Sequence, residues 1–352
     1  MAAHEFHPLR VAAVERLCDD AVAVTFEVPA ELTAAYAFRP GQSLTVRRPA
    51  DDADERRSYS ICAPAGAAPR IGVREVPGGL ISRWLVHDVR VGDAVEVAPP
   101  SGTFTPDLAA GGRHVMIAAG SGITPVLSIA SSLLRNPAAQ VGILYGNRRA
   151  DTVMFAEELA DLKDSHPSRV ELVHLLSREA REVDLLSGRL DAARLRALLP
   201  VLIDVPAVDH WWLCGPFGMV TDAVEVLGRA GVPAERIHRE LFWVDEVPPE
   251  PKRADAHPTG PGSEVTVLLD GRTTTMTVTG GTTVLEGAQR SRPDLPFACK
   301  GGVCGTCRAR VVEGEVTMRR NFALEPAELA AGFVLTCQST PTTEKVVVTF
   351  DD

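Results

Sequence analysis

The chain has 352 residues, 45% hydrophobic and 23% charged, with a formal net charge of −10. That length allows two or three domains with separate cores, and the acidic balance argues against nucleic acid as a partner. No apolar run approaches the roughly 18 residues of a membrane span, and the N-terminal string MAAHEFHPLRVAAVERL contains acidic residues and lacks the apolar core of a secretory signal. Of seven cysteines, Cys18, Cys62 and Cys214 are scattered, which is not a disulfide framework and predicts a reducing, cytoplasmic setting with no membrane partner.

The first segment, about 7–107, holds short apolar runs (AVAVTFEV, SLTVRRP, SYSICA, RIGVREV, DAVEVAP) broken by Pro, Gly and Asp. Many short strands with one helix predict a closed antiparallel β-barrel over 1–110. Within it stands Arg57-Ser58-Tyr59-Ser60, where an arginine can pair with phosphate and a tyrosine can stack on a flat ring. Alone, R-x-Y-S is a weak match, and an exposed strand arginine is its commoner meaning. Pro77-Gly78-Gly79-Leu80-Ile81-Ser82 then runs into the helical string SRWLVHDV. Glycines ahead of a helix leave N–H groups free for a diphosphate, and Ser82 adds a hydroxyl donor.

From 111 to 247, strands alternate with helices. HVMIAAG, QVGILYG, VELVHLLS and HWWLCG are near-continuous apolar runs, as a parallel sheet buried on both faces requires. That alternation predicts a doubly wound α/β domain. It opens with Gly120-Ser121-Gly122-Ile123-Thr124-Pro125, where glycines admit a pyrophosphate, Thr124 serves as N-cap and Pro125 as first helical residue. A lone G-x-G is weak, and proline replaces the third glycine of the full fingerprint. Cys214-Gly215-Pro216 ends the last apolar strand; on its own Cys214 reads as a small buried hydrophobe. Arg148, Arg149 and the pair Ser177-Arg178 are loop cations that are either solvated or placed for a phosphate. The nine histidines are dispersed in sequence, and no Glu-x-x-His pairs mark a di-iron oxygenase on this chain.

Residues 248–262, PPEPKRADAHPTGPG, have no apolar periodicity and read as a linker. The third domain, 263–352, begins with alternating runs around Asp270-Gly271, a hairpin signal. It carries Cys299, Cys304, Cys307 and Cys337 in the order C-x4-C-x2-C…C, the plant-type spacing for a [2Fe–2S] cluster. Zinc usually takes C-x2-C pairs two at a time, and only one such pair exists here. The chain therefore handles single electrons. Eleven Asp/Glu and nine Lys/Arg in 263–352 leave this domain nearly balanced, with Lys300, Arg308 and Arg310 in or beside the cluster loop.

In order and spacing these motifs resemble the ferredoxin–NADP reductase family, in the form of oxygenase reductases with a C-terminal ferredoxin. The resemblance covers essentially the whole chain and implies a multidomain fold of flavin barrel, doubly wound α/β dinucleotide domain and β-grasp α+β ferredoxin. It implies FAD held by Arg57, Tyr59, Ser60, Gly78, Gly79 and Ser82. It further implies NAD(P)H held by Gly120, Gly122, Thr124, Pro125, Cys214, Gly215 and Pro216, with Arg148, Ser177 and Arg178 favouring NADPH over NADH. Ser60, Cys214 and Glu240 are the implied catalytic residues, Glu240 being an acid near the flavin that could equally be a plain exposed carboxylate. A hydride carries two electrons and a cluster takes one, so the flavin must divide the pair. The strings Phe297-Ala298-Cys299-Lys300-Gly301-Gly302-Val303-Cys304, Asn321-Phe322-Ala323-Leu324-Glu325-Pro326 and Tyr145-Gly146-Asn147-Arg148 look most like the reductase subunits of phenylacetyl-CoA 1,2-epoxidases. That likeness implies a multicomponent di-iron monooxygenase as partner. Reductases of ketosteroid or ring hydroxylases share the cofactor motifs and remain the alternative. A non-catalytic electron-carrier subunit of a dehydrogenase is the reading from another class; intact Gly120-Ser121-Gly122 and Cys214-Gly215 argue against it.

Overall fold

The computed structural model describes residues 6–48, 55–242, 262–324 and 326–351. The chain forms two compact units, divided after Phe242. The expected barrel and α/β domain are therefore two sheets within one unit, and the expected linker lies outside the described residues except for Gly262. Among the described residues no helix is long and apolar enough to cross a membrane.

The barrel strands are β1 (His7–Cys18), β2 (Ala21–Glu27), β3 (Ser43–Arg48), β4 (Glu55–Ser60), β5 (Arg70–Arg74) and β6 (Ala94–Val97), with helix α1 (Leu80–His87) between the last two. They form one antiparallel sheet in the order β4-β3-β6-β1-β2-β5. Closure comes from a single bridge between Ile61 and Ile71, just past β4 and on β5. Alternation explains the two faces of β2: Val22, Val24 and Phe26 fill the barrel, while the smaller Ala21 and Ala23 join the core of the neighbouring sheet. On β5, Gly72 does the same, because a Cβ there would lie 2.5 Å from Thr124 Cγ2 and 2.8 Å from Phe155 Cζ.

The second sheet contains β7 (Gly112–Ala119), β8 (Ala139–Asn147), β9 (Val170–Leu176), β10 (His210–Gly215) and β11 (Ile237–Leu241). Helices α2 (Ile123–Leu133), α3 (Ala156–Ser165), α4 (Ala192–Leu202) and α5 (Phe217–Arg229) connect them. All neighbours are parallel, in the order β11-β10-β7-β8-β9. The chain leaves central β7 toward β8 and β9, then returns to β10 on the other side. Ligands bind at the carboxyl ends beside such a switch. Phe104, at the close of the barrel segment, meets Trp212 of β10 edge to face at 5.2 Å, a contact worth roughly 0.5–1.5 kcal/mol beyond area burial.

One local expectation is corrected. Thr124 is not the N-cap of α2: a turn of 3-10 helix over Gly120–Gly122 carries the chain into the helix two residues early, so Gly122 caps and Ile123 is first. The Thr124 hydroxyl donates back to Ser121 O at 2.9 Å. Pro125 falls third, where its missing N–H is still harmless because the first four helical N–H groups have no intrahelical partner.

The second unit holds β12 (Gly262–Leu269), β13 (Arg272–Thr279), α6 (Val284–Gln289), β14 (Arg308–Glu313), β15 (Val316–Met318), α7 (Pro326–Ala330), β16 (Phe333–Leu335), β17 (Ser339–Pro341) and β18 (Lys345–Thr349). Its mixed sheet runs β13-β12-β18-β14-β16, with β12 and β18 parallel. Asp270-Gly271 makes the expected hairpin, both residues at positive φ, and the Asp351 carboxylate accepts both their N–H groups. Thr283 and Glu286 form a capping box that starts α6 over the core.

Candidate functional site

On β4, Arg57 and Tyr59 are two residues apart and so share a face, while Ser60 takes the other. Arg57 is exposed; its guanidinium donates to Arg56 O at 2.7 Å and pairs with Glu55 at 3.1 Å. Tyr59 packs half-buried against the barrel core, and that burial pushes its phenol up. The glycine loop ahead of α1 is open above Gly78, where a side chain would meet nothing within 4 Å. Ser82 has a different task from the expected one. Its hydroxyl is buried, donates to Gly79 O at 3.2 Å and accepts the Val76 N–H at 3.1 Å. Ser82 thus holds the shape of the loop, and its single proton is already committed.

The three residues expected to be catalytic converge from three strands. Cys214 of β10 and Glu240 of β11 are direct partners in the parallel register. Ser60, from the barrel, donates to Glu240 Oε2 at 3.0 Å. Glu240 retains some surface at the residue level, yet its carboxylate is walled in by protein. That desolvation, only partly offset by the Ser60 hydroxyl, pushes its pKa up to about 7. Cys214 is fully buried, and burial together with the nearby Glu240 raises its thiol well above the ordinary value, so it stays protonated.

The loop after β7 lies against the end of β10. A Cβ on Gly122 would sit 2.1 Å from Cys214 O, so only glycine permits this approach. A Cβ on Gly215 would meet Met219 Cε at 2.7 Å and Ala119 N at 3.1 Å. Tyr145 of β8 donates to Gly120 O at 2.9 Å and fixes the loop from below. Arg148 and Arg178 extend β8 and β9 side by side: Arg178 N–H donates to Arg148 O at 2.8 Å and Ser177 N–H to Asn147 O at 2.9 Å. Both arginines are exposed. Arg149 instead pairs with Asp151 at 2.5 Å.

The strand register also gathers histidines that the sequence keeps apart. His114, His210 and His238 surround Trp212: His210 Nδ1 lies 3.1 Å from His238 Nε2, and the indole donates to His114 Nδ1 at 3.3 Å. Burial holds His114 and His238 down to about 4, so both are neutral.

In the second unit Cys299 lies beside Cys304, and Cys307 beside Cys337, each thiol close enough to perturb its neighbour. Among the described residues no three His, Cys, Asp or Glu side chains close around a point that would hold one metal ion. Two pairs of thiols fit a two-iron core, with two thiolates for each iron, better than one tetrahedral ion. Lys300 at φ 50° and Gly302 at φ 81° turn the loop so that backbone N–H groups face sulfur; Gly301 N–H reaches Cys299 Sγ at 3.3 Å. From the other side Gln338 Nε2 approaches Cys337 Sγ at 3.5 Å and donates to Lys300 O at 2.8 Å. The segment Arg319–Phe322 covers the loop, with Phe322 N–H donating to Gly302 O at 3.0 Å. Neither Gln338 nor this cover was foreseen, because both depend on residues remote from the cysteine motif.

Family models match in the same order along the chain. They are an oxidoreductase FAD-binding domain at 8–105, an oxidoreductase NAD-binding domain at 116–225 and a 2Fe-2S iron-sulfur cluster binding domain at 267–342. The chain is 42% identical to one of the subunits of the 1,2-phenylacetyl-CoA epoxidase of Escherichia coli (strain K12), over 98% of each chain. It is 33% identical to the ferredoxin reductase component of 3-ketosteroid-9-alpha-monooxygenase of Rhodococcus rhodochrous, over 97% of this chain and 96% of that one. Phthalate dioxygenase reductase shares the fold, with a TM-score of 0.63 at 23% identity and 98% of each chain covered. The bound groups are thus FAD, a pyridine nucleotide and a [2Fe–2S] cluster, and electrons pass on to an oxygenase. The chain belongs to the family of NAD(P)H-dependent flavin and iron–sulfur oxygenase reductases, of which that 1,2-phenylacetyl-CoA epoxidase component is a member.

Proposed function

We propose that this chain is the NADPH-dependent reductase of a multisubunit di-iron oxygenase that epoxidises phenylacetyl-CoA. The observation that carries the acceptor is the higher identity to the epoxidase component, spread over nearly all of both chains. Flavin supplies hydride acceptance and the release of single electrons, and the cluster supplies their onward transfer.

The chain's own residues align and protect that chemistry. Arg57 and the open backbone at Gly78 would hold the flavin phosphates, while the Gly79 N–H, which donates to Val76 O at 2.8 Å, and the Ser82 hydroxyl hold the glycine loop in shape. Tyr59 offers its ring as a stacking face. Gly120 and Gly122 let the dinucleotide lie against the backbone at the start of α2, with Thr124 and Pro125 in the first turn of the helix. Cys214, Gly215 and Pro216 form a tight wall for the nicotinamide, and the protonated thiol presents no charge there. Ser60 donates its hydroxyl to the Glu240 carboxylate, whose own carboxyl proton is the one that titrates. With Glu240 raised to about 7, that proton can be kept or surrendered near neutral pH. Arg148, Ser177 and Arg178 receive the 2′-phosphate, which gives the preference for NADPH. Cys299, Cys304, Cys307 and Cys337 ligate the cluster.

Reconstitution tests this. The purified chain with epoxidase oxygenase subunits should oxidise NADPH only when phenylacetyl-CoA is present. Coupling to a 3-ketosteroid hydroxylase and not to the epoxidase would establish the second reading, which the full-length ketosteroid relatives favour.

A further inference from the structure

We infer that Asn147 hydrogen-bonds the ribose on the adenosine side of the nicotinamide dinucleotide. The inference rests on the reading that the carboxyl edge of β7, β8 and β9 takes that nucleotide.

Asn147 is the last residue of β8 and only 7% exposed. Along the strand Val141, Ile143 and Tyr145 point into the core shared with the barrel, and Asn147 is next on that face. An amide stands where the pattern calls for an apolar side chain. Neither its nitrogen nor its oxygen has a hydrogen-bond partner. The Tyr145 phenol lies beneath it, but the phenol proton goes to Gly120 O and no well-formed hydrogen bond joins the two side chains. Buried polar groups left unpaired are rare and costly, so a partner from outside the chain is the economical explanation.

The position says which partner. Across the sheet edge the order is Gly120 after β7, Asn147 on β8 and Ser177 after β9. Tyr145 ties the first to β8, and Ser177 N–H donates to Asn147 O at 2.9 Å on the other side. Gly120 belongs to the pyrophosphate loop and Ser177-Arg178 to the 2′-phosphate pair. In an adenine dinucleotide the adenosine ribose is the covalent link between those two groups. A carboxamide offers a donor and an acceptor side by side, and a sugar hydroxyl can satisfy both.

The test uses the full-length holoenzyme, with ADP and 2′,3′-dideoxy-ADP as competitive inhibitors of NAD(P)H–ferricyanide reduction. The intact protein should bind ADP about tenfold better than the dideoxy form, the scale of one buried hydrogen bond. Asn147→Leu should bind both alike, at the affinity the intact protein shows for the dideoxy form. Asn147→Ser, which puts a small polar hydroxyl in place of the carboxamide, should recover part of the discrimination. If Asn147→Leu retains the full preference for ADP, or weakens both inhibitors equally, the assignment is wrong. If ADP fails to compete even with the intact protein, the nucleotide edge itself has been misplaced.

Discussion

The Ser60 hydroxyl and the Glu240 carboxylate meet at 3.0 Å although 180 positions separate them, one from the barrel and one from the last strand of the parallel sheet. The contact sets a sign for pH dependence. In the folded chain Glu240 titrates near 7, above its ordinary 4.5. Below the lower value it is protonated folded or unfolded, and it costs nothing. Between the two values the folded chain keeps a proton that the unfolded chain releases, so stability falls as pH rises, and above the upper value the whole penalty stands. Glu240→Gln, neutral throughout, should therefore melt higher than the parent at about pH 8, with the gap closing toward about pH 5. A constant gap across that range, measured by thermal unfolding, would show that burial does not raise this carboxylate.

Cys304→Ser should abolish the cluster and spare the flavin. One thiolate of the Cys299–Cys304 pair is lost, while the first unit, complete by Phe242, keeps its own core. The variant should still reduce ferricyanide with NADPH and fail with cytochrome c. Purification without FAD would contradict independent folding of the two units.

Arg178→Ala should raise the KM for NADPH by about tenfold to a hundredfold and leave that for NADH nearly unchanged, since a charge-assisted contact is worth roughly 1.5–3 kcal/mol. Equal effects on both nucleotides would make Arg178 a solvated end of β9 and nothing more.

Of the two cations flanking the cluster loop, Arg308 is held by a carboxylate, Glu328 at 2.6 Å, and lies over the Phe333 ring at 4.3 Å. Lys300 lies over the Phe297 ring at 4.5 Å, directly after the first cluster cysteine. Lys300→Glu should slow turnover of the oxygenase, with a shallower salt dependence, and leave ferricyanide reduction intact. Unchanged oxygenase turnover would remove this lysine from the docking face.

Gly72→Val should destabilise the first unit by about 1–3 kcal/mol, because the new side chain enters the space of Thr124 and Phe155. The loss should appear in the melting of the flavin-bound unit. A neutral substitution would mean that the two sheets separate easily at this point.

Much of this was legible because the motifs are local. Glycines before helices, alternating strands and cysteine spacing each act over a dozen residues, and each sheet formed where its pattern placed it. The N-cap of α2 was misplaced because the 3-10 turn over Gly120–Gly122 has no sequence signature beyond its glycines. Ser82 looked like a free donor because nothing in the string shows a hydroxyl turning back on its own loop. Glu240 was ambiguous for a plainer reason: IHREL gives a half-buried edge strand no clear face until it is paired with HWWLCG. That pairing and the one between HWWLCG and β7, both invisible in one dimension, gather three dispersed histidines around Trp212.

The small residues on the outside of the barrel bear on how such proteins can be recombined. Ala21, Ala23 and Cys62 share a core with β7, β8 and β10, so a cut near residue 110 would strip apolar surface from both halves and split Ser60 from Glu240. The natural cassette is the pair of sheets together. Swapping ferredoxins between reductases should succeed with junctions placed within 243–261, and chimeras joined between the barrel and the parallel sheet should be insoluble or colourless.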